Sequence, residues 1–83
     1  MPRDVPTEDR ALYRLGEAAE KADVSPQVVK TYCMYGLIAE VARTTGGHRL
    51  FDERTIRRIQ LIQDLKQRYT LREIREIFIR DRL

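Results

Sequence analysis

The 83-residue chain has no tryptophan, one cysteine and one histidine. A single cysteine excludes an internal disulfide framework, and one cysteine with one histidine cannot close a zinc site within the chain. No apolar run is long enough for a transmembrane helix, and the start has no signal-peptide core, so no membrane partner is expected and the cytoplasm is the expected compartment. Paired carboxylates, a nucleophile with a base, a phosphate loop and a metal cluster are all missing. That speaks against an enzyme, and no cofactor is expected. No internal repeat or low-complexity tract interrupts the chain. Two of the three prolines fall in "MPRDVPTEDRA", which has no apolar period and reads as a loose arm. The expected organisation is therefore an arm over 1–12 and one domain over 13–83.

What is present is a soluble, globular composition, with 42% apolar and 35% charged residues. The net charge is +3 and the sequence pI about 9.4. Its distribution is uneven. Residues 1–42 carry a net of −2 and residues 43–83 a net of +5. A basic second half suits a polyanionic partner, although arginine-rich solvated helix faces give the same count.

Four helices are legible. In "LGEAAEKA", Leu15, Ala18, Ala19 and Ala22 share one face, and Glu17 suits the first turn, while Arg14 is a poor N-cap. In "DVSPQVVKTYCMYGL", Ser25 caps, Pro26 takes the first helical position and Gly36 stops the helix. The third helix is expected from Asp52 (cap) to about Arg68, with Ile56, Ile59, Ile62 and Leu65 as its stripe and Leu61 alongside. The fourth opens on a capping box of Thr70 and Glu73, with Leu71, Ile74, Ile77 and Phe78 inward. Between helices two and three, Leu37, Ile38, Val41, Leu50 and Phe51 bracket Thr-Gly-Gly. They predict a two-stranded β-hairpin.

The tight connection between helices one and two predicts a steep crossing, as in a helix-turn-helix. Asp23 falls where a left-handed backbone is often needed. One side of the second helix carries Val28, Val29, Tyr32 and Cys33. The other carries Gln27, Lys30, Thr31 and Met34, an amide, a cation and a hydroxyl able to reach phosphates and base edges in a major groove. Any αα-hairpin with a polar outer face gives the same signal on this segment alone. A hairpin directly after such a helix reads as a wing. Gly46 and Gly47 turn it, Leu50 and Phe51 anchor it, and His48 and Arg49 face phosphates. A hairpin that merely staples the core would carry the same residues.

These stretches together, "YRLGEAAEKADVS", "VVKTYCMYGLI", "RTTGGHRLF" and "LIQDLKQRYTLREIREIF", resemble the N-terminal winged-helix DNA-binding domain of the MerR family of bacterial transcription regulators. The resemblance covers about Tyr13 to Phe78. It implies a mainly α fold, a four-helix winged helix-turn-helix with a small β wing. It implies sequence-specific binding of double-stranded DNA in transcription regulation, with Ser25 in the recognition segment. Gln27 and Lys30 match recognition-helix contacts, and Thr31 and Tyr32 match a Tyr-Tyr pair near the backbone. Arg43 matches a basic residue before the wing turn, His48 and Arg49 match the wing's Tyr-Arg pair, and Lys66 matches a phosphate contact in the second wing. A homodimer and RNA polymerase are the further partners it implies. The usual coiled-coil helix is not in this stretch, which leaves a truncated piece, a small member that dimerises otherwise, or a monomeric excisionase-like protein. An excisionase-like DNA-bending factor and a winged-helix protein-interaction module therefore stand as alternatives.

For the remaining residues the expectations are structural. Cys33 reads as a small buried residue, His48 as a neutral hydrogen-bonder, and Tyr32 and Tyr35 as more core than base-stacking. Arg57, Arg58, Arg72, Arg75 and Glu76 read as solvated, with Arg72 and Glu76 as an i,i+4 pair.

Overall fold

The computed structural model describes residues 11–83. The arm expected over 1–12 therefore lies almost wholly outside the described residues. The elements are β1 (Tyr13–Arg14), α1 (Leu15–Ala22), α2 (Pro26–Met34), β2 (Ala42–Arg43), β3 (Arg49–Phe51), α3 (Glu53–Leu65) and α4 (Leu71–Asp81).

Three helices end in the same way. After α1, Asp23 adopts a left-handed backbone (φ 62), and the Val24 N–H reaches back to the Ala19 carbonyl at 2.9 Å. After α2, Gly36 (φ 74) does the same, with the Leu37 N–H on the Tyr32 carbonyl at 2.9 Å. After α4, Arg82 (φ 57) takes that position, and the Leu83 N–H bonds to the Phe78 carbonyl at 2.8 Å. This closure satisfies carbonyls that a helix end leaves orphaned. Starts are capped as the sequence indicates. Ser25, Asp52 and Thr70 accept from N–H groups of the first turns of α2, α3 and α4. The start of α1 is set by Glu17, whose carboxylate accepts from the Arg14 N–H at 2.9 Å.

Three expectations about the elements are corrected. The wing is not an isolated two-stranded hairpin. β3 pairs with both β2 and β1 in a three-stranded antiparallel sheet ordered β1-β3-β2, with Tyr13 opposite Phe51 and Arg14 opposite Leu50. Two residues ahead of a helix carry too little periodicity to read as a strand. Leu37 and Ile38 are buried without being strand, because the turn at Gly36 drops them directly into the core. α3 stops at Leu65, short of Arg68. Lys66 to Tyr69 form a turn in which the N–H groups of Arg68 and Tyr69 both reach the Leu65 carbonyl at 2.9 Å. Thr70 must be extended to cap α4, so the preceding helix has to unwind.

The core sits where α1, α2, α3 and the sheet meet. Ala18 and Ala19 let α1 approach closely, and Val29, Tyr32, Leu37, Phe51, Ile59, Ile62 and Ile74 are fully buried. Burying one such large side chain contributes about 1.5–3 kcal/mol before entropy is counted. Leu61 is exposed, and so is Tyr35, whose expected core role is thereby overturned. Gly36 ends α2 one residue later, and Leu37 fills the core position instead.

Arg58 is not a solvated arginine. Its Nε donates to the Leu37 carbonyl at 2.7 Å and its Nη2 to the Leu83 carbonyl at 2.6 Å. Its guanidinium carbon lies 4.2 Å from the Phe78 ring centroid. Burial, with Arg54 nearby, lowers its pKa from the usual value. It therefore ties the exit of α2 to the exit of α4. The expected Arg72–Glu76 ion pair does not form among the described residues.

Candidate nucleic-acid interface

The α1–α2 turn sets the direction of α2. Asp23 supplies the left-handed residue, and Val24 packs against the core beside it. On the side of α2 away from the core, Gln27 and Lys30 are exposed and Met34 is 80% exposed. Ser25 is exposed too, but its Oγ accepts from the Val28 N–H at 3.3 Å and so serves the helix start. Thr31 is half-buried, and its hydroxyl donates to the Gln27 carbonyl at 3.0 Å. That back-bond uses the one proton the hydroxyl has. Thr31 can still accept.

Tyr32 departs from the expected DNA-contact set. It is 1% exposed, and its hydroxyl donates to the Gln63 side chain. Burial raises its pKa above the usual phenol value. On an amphipathic helix the position next to Val29 and Cys33 turns inward, so the ring fills core. Lys66 lies in the turn after α3, its Nζ 5.9 Å from the Tyr32 ring centroid.

The wing is ordered by its own residues. Gly47 is left-handed (φ 89), whereas Gly46 is not. The Gly47 N–H closes the turn onto the Thr44 carbonyl at 2.9 Å. Thr44 also orients His48. Its hydroxyl oxygen accepts from the His48 N–H at 3.1 Å and sits 3.4 Å from His48 Nδ1. His48 is exposed and Arg49 half-exposed, with Leu50 and Phe51 carrying the strand into the core.

Glu40 organises the two wing arginines. Its carboxylate accepts from Arg43 at 2.9–3.0 Å and lies 3.9 Å from the Arg49 Nε. Its own backbone N–H, and then Arg43, hold its pKa below the ordinary carboxylate value. Arg49 also reaches Cys33, whose half-buried thiol is pushed up by desolvation and drawn back down by that cation. Cys33 is thus a semi-buried, weakly acidic thiol with no metal-ligating companions among the described residues.

α1, α2 and the wing enclose a shallow groove of about 590 Å³, lined by Arg14, Gly16, Lys30, Met34, His48 and Arg49 among others. Of the sequence-predicted residues, Lys30, His48 and Arg49 meet there. Ser25, Gln27, Thr31, Arg43 and Lys66 do not line it. Two residues were not anticipated as part of this surface. Arg14, on β1, adds a third cation to the groove, beside Lys30 and Arg49. Glu40 restrains the wing cations, and its spacing of three residues before Arg43 was its sequence signal. Arg14, Lys30 and Arg49 with the His48 imidazole surround one concavity, with Glu40 on Arg49 at its wing edge, and such a cluster of cations suits an anionic partner.

Known proteins share the sequence pattern and the fold. The family model described as MerR HTH family regulatory protein matches residues 13–80. The nodulation protein NolA of Bradyrhizobium elkanii is 37% identical over 71 residues, spanning 84% of this chain and 32% of NolA. The HTH-type transcriptional regulator ZntR of Escherichia coli is 34% identical over 67 residues, spanning 80% of this chain and 48% of ZntR. This chain thus spans about half or less of the length of these relatives. Among solved structures, HiNmlR, a MerR family regulator lacking the sensor domain and bound to promoter DNA, superposes with a TM-score of 0.72 at 29% identity, covering 81% of this chain and 54% of that one. PbrR691 of Ralstonia metallidurans, solved with lead(II), gives 0.73 at 40% identity, covering 84% and 56%.

Proposed function

We propose, from the premise that the chain belongs to the MerR family of helix-turn-helix regulatory proteins, that residues 13–83 are a DNA-binding domain acting on duplex promoter DNA in transcription regulation. The observation that carries this reading is the groove that brings Lys30 of α2 and His48 and Arg49 of the wing to one face. In it, α2 enters a major groove, where Gln27 and Lys30 read base edges. Arg49, with His48, grips the flanking phosphate backbone, and Arg14 supports it from β1. Ser25 and Thr31 present oxygens, and Arg43 and Lys66 add charge on either side. The chemistry is recognition and not catalysis, and its place is the bacterial cytoplasm, where promoter DNA lies. A second copy on a paired half-site and RNA polymerase beside it are the partners this reading adds.

The test is fluorescence anisotropy with a random-sequence duplex and with duplexes recovered by selection. Lys30→Ala and Gln27→Ala should change which sequences are preferred, because base contacts specify. If both variants lose affinity equally for every duplex, α2 is not the reading helix. No duplex binding at low salt would refute the function and favour the protein-interaction alternative. A duplex with two half-sites tests for the second copy by its stoichiometry.

A further inference from the structure

Away from the wing, three shallow hollows join end to end along α4. The first, about 370 Å³, lies between Tyr35 and Arg72. The second, about 390 Å³, shares both residues and extends to Arg75. The third, about 240 Å³, shares Arg75 and continues to Arg58, Ile79 and Arg82. The groove they form runs from the end of α2 to the last turn of α4. It shares only Met34 with the groove beside the wing.

Arg72, Arg75 and Ile79 step by three and four residues, which puts them on one face of α4, and Arg82 follows at its left-handed end beside the same hollow. Ile74 and Phe78 take the inward face. Among the described residues, no aspartate or glutamate lines any of the three hollows. No aspartate or glutamate among the described residues lies within ion-pair distance of Arg72, Arg75 or Arg82. Glu76, one turn beyond Arg72, does not pair with it. Between the cations the surface is apolar, with Ile79 61% and Tyr35 43% exposed. A row of arginines without an acidic partner among the described residues, set around exposed apolar side chains, is a costly surface to leave bare, and it complements one kind of ligand well.

We propose that this groove docks an acidic, apolar protein segment, laid along α4 as a helix in a groove. Its carboxylates, spaced by three or four residues, meet Arg72, Arg75 and Arg82, and an apolar side chain between them covers Ile79. Arg58, anchored on the Leu37 and Leu83 carbonyls, fixes the floor. The exposed Ile79 and Tyr35 favour a protein over a sugar–phosphate backbone, which would leave them facing charge. This surface does not depend on the DNA-binding reading, and the two are measured separately.

The probe is a fluorescein-labelled, 16-residue helical peptide alternating glutamate and leucine at three- and four-residue spacing, with a control in which glutamine replaces every glutamate. Binding is read by anisotropy and mapped by amide chemical shifts of the labelled protein. The glutamate peptide should bind at least tenfold more tightly than the control, with shifts centred on Arg75 to Arg82. Arg75→Gln with Arg82→Gln should weaken it at least tenfold and leave duplex affinity within twofold. Ile79→Glu, at an exposed position, should weaken it as well while keeping the helical circular dichroism. Equal binding of both peptides, shifts centred on the wing, or no effect of these variants would overturn the proposal. So would displacement of the peptide by duplex together with loss of duplex affinity in the double variant, which would make the groove a phosphate surface. Sedimentation showing self-association abolished by Ile79→Glu would replace the acidic segment with a second copy of this chain.

Discussion

Arg49 can be tested against Glu40, because the structure makes the two opponents. The Arg49 side chain is 40% exposed and its Nε lies 3.9 Å from the Glu40 carboxylate. One phosphate contact adds about 0.9 to the slope of log affinity against log salt, so between about 50 and about 200 mM it is worth about 3.5-fold. Arg49→Ala should therefore lose that increment. The ratio of wild-type to variant affinity should shrink by up to about 3.5-fold over the same salt range. The partial pairing with Glu40 places the expected value below that ceiling. Glu40→Gln acts in the opposite direction. It removes a negative charge beside the backbone site and frees both Arg43 and Arg49, so affinity at low salt should rise and the slope should steepen. In the double variant most of the Glu40→Gln gain should disappear, leaving only what Arg43 supplies. The assay is anisotropy of a random-sequence duplex at five salt concentrations, with circular dichroism to confirm the fold. If Arg49→Ala leaves the slope unchanged, or Glu40→Gln weakens binding, the wing does not grip phosphate in the way described.

Arg58→Ala should destabilise the domain by about 2 kcal/mol, since charge-assisted hydrogen bonds contribute about 1.5–3 kcal/mol each and one of the two is at an exposed end. Tm should then fall by roughly 10 °C, and a loss under about 2 °C in a thermal melt would show that the strap is idle. The two wing glycines should separate. Gly47→Ala strains a left-handed position and should cost about 1 kcal/mol, whereas Gly46→Ala meets only an ordinary contact with His48 at 3.6 Å and should be neutral or stabilising in urea unfolding. Equal effects would contradict the turn geometry. For Cys33, burial holds the thiol above its usual pKa and Arg49 draws it down, so removing that cation raises it further. The midpoint of the alkylation rate against pH should be higher than for a free cysteine and higher again in Arg49→Ala. A midpoint that falls in the variant would place Arg49 away from the thiol.

Local chemistry determined much of this protein before any tertiary contact was known. Ser25-Pro26, Asp52, the Thr70–Glu73 box and Gly36 set helix limits because caps act within a few residues of themselves. The periodic apolar residues named most of the core for the same reason, and Lys30, His48 and Arg49 were legible as polar groups left over on an otherwise assigned helix and hairpin. Tertiary structure decided what needs a distant partner. β1 exists only because β3 offers it a free edge, 38 residues away from Tyr13 to Phe51. Tyr35 lost its expected place in the core because Gly36 turns the chain one residue later and Leu37 is buried instead, whereas Tyr32, read as core, is core. Arg58 became a strap because carbonyls at Leu37 and Leu83 converge on it, and a cation's burial is a sum over neighbours that no local pattern contains. The arginine face of α4 was written in the sequence as spacing. That none of these arginines pairs with an acidic side chain among the described residues was decided by the folded chain, since pairing depends on distance in space.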